Sequence, residues 1–281
     1  MNYHHAYHAG HSADVFKHFV LYTLLKQLTE KDKPLSYIDT HAAYAFYQLN
    51  DIKSQKTQAY QDGISRLWEQ ASISPHLLPF LNLIKTLKSQ ENEPIPQYYP
   101  GSAWIAHQLL RKDDKLFLSD LNPDATAHLK ANFRTDPSTQ VAHQDGFMQL
   151  NAWLPPKPAR GLVFIDPPYE KSDDWDRIVK TCSQCLARWS IGTIVIWYPI
   201  KSDSQIKRFY NNLSKLDCKS ILAIEFCPLA SDVSQRLNGS GMIVINPPWK
   251  FESKLSPALQ DLLRLYDEKN AYTDCHFLKN S

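Results

Sequence analysis

Two short stretches carry residues that could do chemistry: Asp166-Pro-Pro-Tyr169 in "FIDPPYE" and Asn246-Pro-Pro-Trp249 in "VINPPWK". Each stops an apolar run with a side-chain acceptor, two rigid prolines and an aromatic ring. That set suits methylation of an exocyclic amine. Adenine N6 is a poor nucleophile because its lone pair is delocalised into the ring. Acceptors that hold both amine hydrogens draw the nitrogen towards tetrahedral geometry. Asp166 can take one hydrogen on its carboxylate and Pro167 the other on its carbonyl, while Tyr169 offers a face for the base. Two more carboxylates follow apolar runs. Asp120 in "FLSDLNP" is placed to grip both ribose hydroxyls of a nucleotide cofactor, and Asp145-Gly146 in "AHQDGF" to accept from the cofactor's adenine amine. A solitary strand-end Asp is most often a turn former. Three ending three consecutive strands point to one site.

The elements that must position these residues follow from the hydrophobic pattern. After a short strand in "LSYIDTHAAYAFYQ", apolar segments at 115–123, 139–147, 161–169 and 192–200 alternate with helical stretches near 124–133, 174–188 and 203–216. This alternation predicts a parallel sheet with helices on both faces. "SILAIEFCPLA" (220–230) and "GSGMIVINPP" (239–248) are joined too briefly for a helical crossover and should pair antiparallel. Five parallel strands and a final antiparallel insert make an α/β, Rossmann-like class I methyltransferase sheet of the kind that uses S-adenosylmethionine. Ligands of such sheets lie beyond the carboxyl ends of the parallel strands. Asp166 therefore faces the crevice. Asn246 ends an antiparallel strand at the opposite edge, where the prolines simply terminate it.

Earlier in the chain, a helix is expected over 13–31 with Asp14 as its cap, and Ser102 is placed to cap another. A long helical stretch is expected over about 56–90, with "SISPHLLP" as internal punctuation. Asp39 and Asp120 lie 81 residues apart, whereas a simple strand-helix-strand unit places its ribose acid roughly 20 residues on. A helical insertion subdomain over 47–98 accounts for the excess. The methyltransferase domain then comprises 1–46 and 99–281, with 1–31 as a motif and helix over the crevice. "DTHAAYAF" lacks the Gly-x-Gly that admits a cofactor to the backbone, and His41 can substitute a side-chain contact.

Composition narrows the function classes. The 281 residues are 43% hydrophobic and 12% aromatic, enough for one sizeable core. No apolar stretch approaches the roughly 18–20 residues of a membrane span, and the N-terminus lacks a secretory signal's apolar centre. A net charge of +2 excludes attachment to nucleic acid by bulk charge. Lys201, Lys207, Arg208, Lys215 and Lys219 read as a solvated helix face. Five scattered cysteines fit a reduced cytosolic setting, and helical spacing explains Cys182 and Cys185. His4, His5, His8, His11 and His18 have only Asp14 interleaved, which is a poor metal set. They are expected to fold over the crevice instead.

The chain resembles the RlmJ-type bacterial methyltransferases that modify adenine N6 in 23S ribosomal RNA. The likeness rests on "HAGHSADVFKH", "DTHA", "YYPGS", "IDPPYE", "WYP" and "GSGMIVINPPW", spread from one end to nearly the other. It implies that His18, His41, Ser102, Asp120, Asp145 and Gly146 contact S-adenosylmethionine. Asp166 would be the catalytic acceptor and border the cofactor. Tyr3 would meet the RNA. From the residues themselves, Pro167 and Tyr169 are expected on the substrate side, and Lys17 joins them in the segment that folds over the crevice. The resemblance further implies action on the adenosine at position 2030 and a helical subdomain between the first two strands of the sheet; from the residues, a metal-free, monomeric, cytoplasmic enzyme is expected. Two departures stand out: "AAYAF" replaces a glycine-rich first loop, and Asp120 stands where Glu is common. From the residues without the family, a DNA adenine-N6 methyltransferase and a non-catalytic RNA-binding protein remain alternatives.

Overall fold

Short runs rich in Val, Ile, Leu and Phe build an eight-stranded sheet in the computed structural model, which describes residues 5–70, 74–201, 203–228, 237, 239–266 and 269–280. The strands are β1 (Ser36–Asp39), β2 (Phe46–Gln48), β3 (Tyr98–Pro100), β4 (Lys115–Asp120), β5 (Thr139–His143), β6 (Gly161–Ile165), β7 (Thr193–Ile200), β8 (Ser220–Cys227), β9 (Gly239–Ile245) and β10 (Tyr272–Asn280). The helices are α1 (Ser12–Thr29), α2 (Ile52–Thr57), α3 (Ile64–Trp68), α4 (Leu78–Thr86), α5 (Ser102–Leu109), α6 (Pro123–Phe133), α7 (Gly146–Trp153), α8 (Asp174–Arg188), α9 (Asp203–Leu213) and α10 (Phe251–Leu263). β2 and β3 pair with each other alone. The other eight strands lie in the order β10-β8-β9-β7-β6-β1-β4-β5.

As the pattern predicts, β5, β4, β1, β6 and β7 run parallel. β9 inserts antiparallel between β7 and β8. β10 was not expected; it pairs antiparallel with β8. Its residues are all exposed or half-buried, so it lacks the continuous apolar run of a strand covered on both faces.

Each face of the sheet carries its own apolar layer. On one, α1, α5, α6 and α10 bury Phe16, Leu24, Ile105, Leu129 and Phe251. On the other, α7, α8 and α9 bury Leu150, Ile178, Cys182, Phe209 and Leu213. Each such large side chain contributes roughly 1.5–3 kcal/mol relative to exposure. Cys182 and Cys185 both point inward from α8, as their helical spacing suggests.

Three local expectations need correcting. Asp14 does not cap α1: the His11 ring accepts from the Ala13 amide at 3.3 Å, and Asp14 turns inward. Ser102 begins α5, but Gly101 holds the cap position and the Ser102 hydroxyl donates to Asp39 instead. The stretch 56–90 also breaks earlier than its "SISPHLLP" punctuation, between α2 and α3. α2 stops at Gln58, whose φ of 51° is left-handed, and a tight turn precedes α3. Tertiary contact is the reason. The Ile64 amide donates to the Gly10 carbonyl at 2.9 Å. A Cβ on Gly63 would lie 2.0 Å from that same oxygen, so only glycine lets this turn close on the N-terminal segment.

Candidate active site

Four of the five parallel strands deliver an aspartate to one edge. Asp39 ends β1, Asp120 ends β4, Asp145 follows β5 and Asp166 follows β6. Beyond that edge lies a cavity of about 660 Å³ lined by Lys17, His18, His41, Ser102, Asp120, Asp145, Gly146, Asp166, Pro167 and Tyr169. Every site residue expected from the sequence is thus brought together, except Tyr3, which lies outside the described residues. His5, His8 and His11 also border the cavity, so the N-terminal segment folds over it. Asn246 is elsewhere: its amide donates to the Ser190 and Gly192 carbonyls at 3.1 and 3.0 Å, beside the start of β7.

The half of the cavity around β4 and β5 has the donor set of a nucleoside site. Asp120 accepts from the Ala43 amide at 2.8 Å on one oxygen and from the Asn122 amide at 2.7 Å on the other. A carboxylate has about four lone-pair sites, so each oxygen keeps one for a ribose hydroxyl. Ala43 reaches Asp120 by adopting φ 49°, the left-handed conformation a glycine would give freely. The first loop therefore keeps the shape of a glycine loop without the glycine. At Gly146, a Cβ would meet the Thr40 carbonyl oxygen at 1.8 Å. Its absence lets the start of α7 close against the end of β1. These residues fit the nucleoside part of S-adenosylmethionine.

Asp145 accepts from the Phe147 and Met148 amides at 3.0 and 3.2 Å, capping α7. Burial by itself would raise its carboxyl, but hydrogen bonds from Arg177 and those amides outweigh it and hold it below the usual range. His41 lies edge-on to Phe147, 5.0 Å between ring centres. Burial lowers the His41 pKa, against the pull of Asp120 and Asp166. His18 reaches the wall with its Nδ1 3.0 Å from the Tyr99 hydroxyl. Burial first, then Lys17, pushes its pKa well down, so it is neutral.

The other half is built around Asp166. Lys17 Nζ donates to Asp166 Oδ2 at 2.7 Å and also pairs with Asp14 Oδ1 at 2.9 Å. Burial works against the ammonium, but the two carboxylates outweigh it and raise the Lys17 pKa. Lys17 stays charged. Asp166 Oδ1 has no hydrogen bond among the described residues, so one acceptor oxygen is held at the cavity. Tyr169, at φ 52°, donates its hydroxyl to the Trp197 carbonyl at 2.6 Å. Its ring lies 4.6 Å from that of Trp175 and 5.9 Å from that of Trp197. Part of the Tyr169 ring is thereby covered by protein. Trp197 also lines the cavity, with Lys17 Nζ 5.5 Å from its ring centre.

Sequence reasoning missed Asp14, Arg177 and the anchoring role of Asp39. Buried Asp39 accepts from Tyr37 at 2.9 Å, Ser102 at 2.7 Å and the His41 amide at 3.2 Å. Burial outweighs those bonds and pushes its carboxyl up to about 7. Among the described residues no cluster of three or more His, Cys, Asp or Glu could hold a metal ion, and no helix is long and apolar enough to cross a membrane.

Residues 32–272 match the family described as ribosomal RNA large subunit methyltransferase D, RlmJ. Ribosomal RNA large subunit methyltransferase J of Haemophilus influenzae is 40% identical over 264 residues, 94% of this chain and 93% of its own. The Escherichia coli protein of that name is 39% identical over 259 residues, covering 92% and 91%. A crystal structure of a Legionella pneumophila protein superposes with a TM-score of 0.87 at 32% identity, covering 96% of this chain and 98% of that one.

Proposed function

The chain belongs to the RlmJ family of large-subunit ribosomal RNA methyltransferases, and from that premise we propose that it transfers a methyl group from S-adenosylmethionine to adenine N6 in 23S ribosomal RNA. It is an S-adenosylmethionine-dependent enzyme of the class I fold. The observation that carries the adenine reading is Asp166: Lys17 occupies Oδ2 at 2.7 Å, and no described residue bonds Oδ1 on the cavity that also holds Asp120 and Asp145.

In this reading the bound cofactor supplies an electrophilic methyl group on sulfur. The chain does the rest. Asp120 takes the ribose hydroxyls, and Asp145 takes the adenine amine of the cofactor. Asp166 Oδ1 accepts one hydrogen of the target amine and the Pro167 carbonyl accepts the other, which localises the nitrogen lone pair. As that nitrogen becomes cationic, the fixed Asp166 carboxylate stabilises it and can receive its proton at Oδ1. The exposed part of Tyr169 and the Trp197 ring flank the base. The segment from 5 to 11 shields the site, with the insertion at 47–98 as its support: Thr57 donates to the Tyr7 carbonyl, and α3 begins on Gly10. We place the enzyme in the cytoplasm as a monomer.

Methyl transfer from tritiated cofactor to 23S fragments, with duplex DNA as control, tests the proposal. Labelled N6-methyladenosine in RNA supports it. Transfer to the duplex alone would favour a DNA enzyme, and transfer to neither would leave a non-catalytic binder.

A further inference from the structure

Arg177, on α8, has no part in the target-amine site, yet it lines the cavity at the cofactor end. Its Nη2 lies 2.8 Å from both oxygens of Asp145. Its guanidinium carbon is 4.3 Å from the centre of the Phe147 ring. The pair is neither sealed off nor on open surface, with side chains 34% and 26% exposed. Counting donors shows what this leaves. Asp145 Oδ1 takes the Phe147 and Met148 amides and Arg177, so its lone pairs are occupied. Among the described residues Oδ2 takes only Arg177 and keeps one lone pair. Arg177 in turn spends one nitrogen, and its Nη1 and Nε donate to no described residue. An arginine carries five N–H donors.

A single acceptor site beside unspent donors is the complement of one feature of adenine. On either edge of that base, the amine donor adjoins a ring nitrogen that accepts, N1 or N7. We infer that Arg177 is a specificity-determining residue of the cofactor site: Asp145 Oδ2 accepts the adenine amine while Arg177 donates to the neighbouring ring nitrogen. The inference rests on the cofactor reading above and deepens it. Arg177 has two effects: it turns Oδ2 into the only open acceptor of Asp145, and it recognises a 6-aminopurine by a second, opposite hydrogen bond. Phe147 supports the guanidinium from beneath, which fixes where its donors point.

Calorimetric binding of S-adenosylhomocysteine and of its 1-deaza and 7-deaza analogues, each with one ring nitrogen replaced by C–H, tests this without turnover. The wild-type protein should bind one of the two analogues about tenfold or more weakly than the parent, the scale of a lost hydrogen bond from a charged donor. Arg177→Met should bind the parent that much more weakly and lose no further affinity on the same analogue. Arg177→Lys should keep part of the discrimination. An arginine that merely anchors Asp145 would weaken all three ligands alike in the Met variant, with the wild-type ratio preserved; that result overturns the inference. So does a wild-type protein that binds all three equally, a comparison needing no variant. Failure of the wild-type protein to bind S-adenosylhomocysteine at all would overturn the cofactor reading as well.

Discussion

Replacing Lys17 by Met removes the one described cation that pairs with Asp166 while keeping most of the side-chain volume. Lys17 is 4% exposed, and the Asp166 side chain 16%. Asp14 would still hold His5 at 2.9 Å and the Gly10 amide at 3.0 Å. Asp166 would keep no partner among the described residues. Breaking a buried ion pair from one side costs about 3–5 kcal/mol, because the remaining charge is left uncompensated. For a chain of this size each kcal/mol moves the melting temperature by roughly 2–4 °C, so Tm should fall by roughly 6–20 °C. The loss should be partly undone by adding Asp166→Asn, which removes the stranded charge. Differential scanning calorimetry of the single and double variants measures both effects. Methyl transfer by folded Lys17→Met should also drop by about 10²-fold or more, since the acceptor is no longer fixed. A single variant that melts within about 1 °C of wild type, or a double variant less stable than the single, would refute the claim that Lys17 compensates Asp166.

Other residues give sharper contrasts. Asp120→Ala should weaken S-adenosylmethionine binding at least about tenfold, because two ribose hydroxyls lose a charged acceptor; a titration with unchanged affinity would show that the ribose lies elsewhere. Asn246→Ala loses bonds to the Ser190 and Gly192 carbonyls and should shift stability by about 1 kcal/mol, with methyl transfer retained in the folded fraction. Asp39, with its folded-state pKa raised to about 7 from an ordinary value of 3.8, binds its proton more tightly in the folded protein. Its contribution is complete below the unfolded value and is lost as pH rises from there through about 7. Asp39→Asn should therefore flatten the fall in melting temperature between pH 5 and pH 8, and an identical slope in both proteins would argue against a protonated Asp39.

How far the site was readable in the sequence depended on whether its residues are set by strand order or by packing across the chain. Asp120, Asp145 and Asp166 were legible because an apolar strand must end where they stand, and parallel topology sends all three to one edge. The contrast between Asp166 and Asn246 was legible for the same reason. Lys17 and Asp166 are 149 residues apart, so their contact has no local trace, and Lys17 could be put near the substrate only through the N-terminal segment expected to fold over the crevice. Arg177 occupies a helix position whose polarity suits solvent equally well. The break between α2 and α3 arises because Gly63 and Ile64 meet Gly10, which no helical periodicity records. Ala43 ran against expectation in a different way: the loop it belongs to lacks glycine, yet tertiary contact with Asp120 holds an alanine in the left-handed region.

The central claim is that Asp166 holds the target amine without holding the cofactor. Its most direct test is a single-turnover measurement of labelled methyl transfer to 23S RNA by Asp166→Ala, paired with a cofactor titration of the same protein. The account predicts a folded variant that binds S-adenosylmethionine with close to wild-type affinity and forms N6-methyladenosine about 10²-fold more slowly, or not measurably. Near-normal methylation by that variant would contradict it.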